Sequence, residues 1–157
     1  MNPHDLINSA NILVKSSSNR PTMVNCRRAI SSCYYALFHC LARDCADLLI
    51  GGNGATKSKP AWTQVYRSLE HGHAKSQCKN QTMMTRFPKQ IEDFADAFVT
   101  MQEKRHKADY DPGATFPKSE VLIEISRADA VIRSYRSAPT VDRRAFCAYV
   151  LFKHPRL

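Results

Sequence analysis

No apolar run in this sequence approaches the roughly 18 residues that a membrane-crossing helix needs, and the opening MNPHDLINSA lacks the basic-then-apolar layout of a secretory leader. A soluble cytoplasmic protein without a membrane partner is therefore expected. No window of four or more residues alternates polar and apolar between turn signals, so strands are not expected either. Glycine is scarce, with five residues, and most of them fall between the apolar-periodic segments, where chain reversals belong. Acidic side chains are in the minority, 14 against 23 lysines and arginines.

What is present describes one domain. A chain of 157 residues can bury a single sizeable core, and 43% hydrophobic with 24% charged residues argues against a disordered tail or a fibrous repeat. Four of the six cysteines, Cys26, Cys33, Cys40 and Cys45, recur within one apolar stretch, where a helix keeps them from pairing usefully with one another. They read as reduced core residues. The net charge of +9 is unevenly spread. Residues 51–80 hold five basic side chains against one acidic, and residues 133–157 hold six against one. Such patches suit phosphate backbones or other acidic partners as well as plain solubility.

Proline punctuates the chain, because it sits at helix starts and outside helix ends. Its eight positions leave helical segments at about 4–17, 22–50, 61–78, 89–110, 119–137 and 140–153. The second is the most regular: Cys26, Ile30, Cys33, Leu37 and Cys40 form one stripe, and Tyr34, Phe38, Leu41, Cys45 and Leu48 a neighbouring one. Two adjacent stripes make it the central helix of a bundle. Ile91, Phe94, Ala95, Phe98, Val99 and Met101 repeat the pattern, as do Val121, Leu122, Ile125, Ala128 and Ile132 after Ser119, a candidate N-cap. The expected fold is an all-α up-and-down bundle of four to five core helices with an extra C-terminal helix, its connections short except at 51–59 and 111–118.

Residues Gly51 to Ser58 nearly spell a phosphate-binding loop, but Thr56 replaces the second glycine and the stretch follows a helix instead of a strand. A basic loop is expected there. His71 and His73 lie two apart, without the i, i+4 spacing of a helical metal site, so no metal or cofactor is expected. His39, inside an apolar run, reads as a hydrogen-bonded core histidine. The densest chemistry lies between Glu103 and Pro112. There Arg105 and Asp109 share a helix face, and Tyr110 follows just where the helix must end. The group reads either as a helix-end ion pair with Tyr110 anchoring the next loop, or as a guanidinium, phenol and imidazole able to hold a phosphate and move a proton beside it.

Two stretches together resemble a known family. Residues Arg28 to His39 resemble the RAxSxxYYAxFH helix, and Arg105 to Pro112 the RxxADYDP helix end, of small bacterial HEPN-domain proteins. The resemblance covers residues 3–137 and implies a HEPN-like bundle over 1–137; outside it, residues 138–157 are expected to form a basic helical extension packed on the same domain. It further implies a two-fold homodimer. Many members are metal-independent endoribonucleases of toxin–antitoxin or phage-defence systems. Others are inactive modules that bind nucleotides or proteins, including nucleotidyltransferase or antitoxin partners. In active members an Arg followed four to six residues later by His meets its copy across the dimer, the RNA 2′-hydroxyl attacks the adjacent phosphate, His moves the proton and Arg stabilises the phosphorane.

The resemblance assigns the phosphate to Arg105, with His106, Asp109 and Tyr110 around it; the neighbouring Lys104 and Lys107, and Arg143 and Arg144 of the basic C-terminal segment, are the expected RNA contacts. Tyr34, Tyr35 and His39 become a polar cluster packing the central helix against the Arg105 helix end. The sequence departs from the active pattern in one respect. Tyr110 stands where the His belongs, and His106 is rotated by about 100° from Arg105 on the helix. The residues after Ser137 lie outside the resemblance, and either cover the bundle or dimer seam or bring Arg143 and Arg144 to a partner.

Overall fold

The computed structural model describes residues 1–16, 20–52 and 57–153. They form eight helices: α1 Pro3–Lys15, α2 Met23–Leu49, α3 Lys59–Ser68, α4 His71–Cys78, α5 Gln81–Met84, α6 Lys89–Tyr110, α7 Lys118–Arg136 and α8 Thr140–Leu151. No strand occurs among the described residues, and no helix there is long and apolar enough to cross a membrane. The phosphate-loop-like stretch falls partly on residues 53–56, outside the described residues.

Helix α2 is central because both of its apolar stripes find partners. Cys26, Ile30, Cys33, Leu37 and Cys40 are buried, as are Tyr34, Leu41 and Cys45, and α1, α3, α6, α7 and α8 all pack on it. All six cysteines are free and buried. Side-chain contacts fix the directions. Arg27 near the start of α2 reaches the end of α6, and Phe116, just before α7, meets Met23 at the start of α2. Asp44 near the end of α2 meets Tyr135 near the end of α7, while His4 at the start of α1 meets Arg136 at the end of α7. Hence α1, α2, α6 and α7 run alternately up and down. Their far end is filled by Phe94, Phe98, Tyr135 and Phe146, with the Phe94 and Tyr135 rings 4.4 Å apart, and α8 closes it against α2 and α4.

The connection from α2 to α6 differs from the expectation. Gly51 leaves α2 at φ +136°, a conformation that favours glycine. The single helix expected at 61–78 is then broken: Leu69 and Glu70 are extended, and Leu69 is drawn into the core. A burial worth roughly 2 kcal/mol explains why the local helical pattern gives way there. Helix α5 was not expected; Asn80 caps it by accepting from Met83 N–H. Ser119 lies inside the first turn of α7, which begins after Pro117. At the other long connection, Arg27 donates to the carbonyls of Ala108, Asp111, Pro112 and Ala114, which ties residues 111–114 to α2.

Candidate functional site

With two faces of α2 consumed by the core, the remaining stripe is left at the surface. Arg28, Ser31, Ser32, Tyr35 and His39 line an open cleft of about 590 Å³, closed on one side by Met1, Leu6 and Leu13 and on the other by Asp109 of α6. Tyr35 and Asp109 therefore face the same space.

Arg105 stands immediately behind this wall. Its guanidinium carbon lies 5.2 Å from the ring centre of Tyr34 and 5.9 Å from that of Tyr35, within cation–π range. Its Nη1 is 3.5 Å from Asp109 Oδ2, a long contact. Asp109 gives its better bond to Ser31, whose Oγ donates to Oδ1 at 2.5 Å. The Arg105 side chain is only 13% exposed, and its Nε is buried without a hydrogen-bond partner. An unsatisfied donor on a charged group is costly, and its burial closes Nε to a ligand in the cleft.

Two imidazoles complete the surroundings. The Tyr34 hydroxyl is hydrogen-bonded to Nδ1 of His71 at 2.5 Å, and burial raises the Tyr34 pKa, keeping the phenol protonated. The His71 ring stacks on Phe38 at 4.0 Å. Its pKa is lowered, first by burial and then by the positive charges of Arg105 and His39. His39 pairs through Nδ1 with the Tyr66 hydroxyl, and burial lowers its pKa too. Both rings therefore favour the neutral form in the fold.

The structure divides the residues expected from sequence. Arg105 and Asp109 come together, with Tyr34, Tyr35 and His39 around them. His106 and Tyr110 do not join: they are exposed and packed on each other, with ring centres 5.0 Å apart, on another face of α6. Tyr110, at 67% exposure, does not anchor the following loop; Arg27 does. Lys104 is engaged by Glu124 at 2.7 Å and Glu120 at 3.3 Å, because Glu124 is a buried carboxylate that needs a cation. Arg143 is likewise drawn inward, 2.6 Å from Asp44. Lys107 and Arg144 are exposed, Arg144 donating to the Leu48 carbonyl. Among the described residues no group of three or more His, Cys, Asp or Glu is placed to hold a metal ion.

His71 was missed by sequence reasoning. Its placement depends on the break at Leu69 and Glu70, for which no local signal exists. Ser31 and Arg28 lay within a conspicuous pattern, but spacing alone gave neither a role.

No family model matches the chain, and no curated protein or solved structure matches it. The chemistry of the site therefore rests on its geometry: a largely buried guanidinium stands behind a cleft lined by a second arginine, hydroxyls, a neutral imidazole, the Asp109 carboxylate and an apolar wall. Such a set of donors suits a phosphate-bearing ligand.

The two histidines make stability depend on pH. Each has a folded-state pKa below its ordinary value of 6.5, so the unfolded chain binds more protons in acid. Their contribution is complete above about 6.5 and is lost as pH falls through the folded values. The melting temperature is expected to fall between pH 7 and pH 5, and less steeply in a His39→Gln, His71→Gln variant. Equal slopes in the two proteins would contradict the assignment.

Proposed function

We propose that this chain is a HEPN-type RNA-binding protein that holds the strand's phosphates at the α2 cleft with Arg28 and Arg105. The observation that carries the reading is the Arg105 guanidinium, held to Asp109 only by a long 3.5 Å contact, directly behind a cleft on which Arg28, Ser31 and Tyr35 converge. The sequence resemblance supports a two-fold dimer across this region. Val24 and Tyr110, exposed by 58% and 67%, lie at the same end of the bundle and offer apolar surface to a second copy.

A second reading, metal-independent RNA cleavage, is favoured by one feature. His39 lines the cleft with Nδ1 tied to Tyr66, so a neutral imidazole is available there although His106 faces away. Single-stranded RNA incubated with the protein and a chelator separates the two. Retardation of intact RNA supports binding alone. Products ending in 2′,3′-cyclic phosphate, absent with 2′-O-methyl RNA and with His39→Gln, support cleavage. RNA that neither shifts nor shortens overturns both.

A further inference from the structure

The cleft continues into a row of rings. His39 lies beside Tyr35, with centres 6.2 Å apart, and stacks on Tyr66 of α3 at 5.9 Å and 22°. Tyr66 stacks on Trp62 at 5.1 Å and 23°. The row ends with the Lys57 ammonium over the Trp62 ring, 4.5 Å from its centre. All four rings are half-buried, so their edges follow the surface from the cleft to the first turn of α3. The Trp62 indole is held in place by its Nε1–H, which donates to Asp47 at 2.8 Å.

Most of the charge around this row is positive. Helix α3 has no acidic residue and no fully buried one, and it carries Lys59 and Arg67. Lys57 precedes it, Arg43 stands on the adjoining turn of α2, and Asp47 is occupied by Trp62 and Arg43. Tyr66 packs partly on the core, but Trp62 extends the stack beyond it, under a lysine, on a helix with no fully buried side chain.

We infer that α3 is a second contact for single-stranded RNA, in which a base stacks on Trp62 in place of the Lys57 ammonium and Lys57 moves to the neighbouring phosphate. This rests on the RNA-binding reading of the cleft and extends it. Fixed rings with basic flanks accept the unpaired faces of a single strand, whereas bases stacked within a duplex are closed to them. The inference also gives the basic charge of residues 51–80 a role.

Trp62 is the one tryptophan of the chain, so its fluorescence reports on the site directly. Oligouridine added to the full protein is expected to quench it over the same concentrations that raise the anisotropy of a labelled copy, with little quenching by a duplex. Trp62→Ala should weaken single-strand affinity roughly tenfold, and Trp62→Phe should recover much of the loss. RNA that binds by anisotropy with the tryptophan signal unchanged, or with equal affinity in Trp62→Ala, overturns the α3 contact and leaves the cleft reading intact; the rings then serve only to fasten α3. Absence of any anisotropy change overturns the cleft reading and this inference together. The wild-type quench requires no variant, so it decides the matter even if Trp62→Ala fails to fold.

Discussion

Asp44→Ala is expected to destabilise the protein by about 3–5 kcal/mol in denaturant-induced unfolding, the usual cost of stripping one partner from a buried ion pair. Asp44 and Arg143 are only 15% and 16% exposed and lie 2.6 Å apart. Asp44 also accepts from the Tyr135 hydroxyl at 2.6 Å. One carboxylate thereby joins α2, α7 and α8, and its loss leaves a guanidinium and a phenol inside the protein with reduced bonding. Burial raises the Asp44 pKa while the Tyr135 bond and the Arg143 charge oppose the rise, so the ionised form depends on those two partners. By comparison, Asp93→Ala breaks the exposed Lys89–Asp93 pair and should leave stability nearly unchanged. A loss for Asp44→Ala as small as that would show that α8 is not locked to the bundle by this network.

The same network marks the limit of what the sequence discloses. The long helices and their directions were largely legible, because Cys26, Ile30, Cys33 and Leu37 on α2, and Ile91, Phe94 and Phe98 on α6, keep a helical period that burial rewards. The break at Leu69 was not legible, since a single leucine drawn into the core overrides local helix preference, and the pull is tertiary. The site was legible in part. Arg105 and Asp109 share a face by spacing alone, and that geometry holds. His106 is adjacent in sequence to Arg105 yet faces another way, as helical rotation requires. Lys104 and Arg143 illustrate the opposite limit: each looked like free positive charge, and each is consumed by a buried carboxylate, Glu124 or Asp44, contributed by a different helix.

Arg105→Ala is expected to weaken single-stranded RNA binding by roughly 10- to 100-fold, the range for losing charge-assisted hydrogen bonds. It should leave the protein folded, at the cost of the packing of the Arg105 stem and its contacts with Tyr34 and Tyr35. Asp109 keeps its bond from Ser31 and is about one-third exposed, so removing the 3.5 Å interaction with Arg105 costs it little, and the substitution also removes the orphaned Nε. A purely structural Arg105 would lower the melting temperature and leave RNA affinity unchanged.

The central claim, that Arg105 meets a nucleic-acid phosphate, is tested most directly by fluorescence anisotropy of labelled single-stranded RNA against the wild-type protein and Arg105→Ala, titrated from about 50 to 200 mM salt. Each neutralised phosphate adds about −0.7 to the slope of log affinity against log salt for a single strand, so the variant should bind more weakly and with a slope flatter by about 0.7 for every phosphate that Arg105 holds. Superimposable curves for the two proteins, in affinity and in slope, would contradict it.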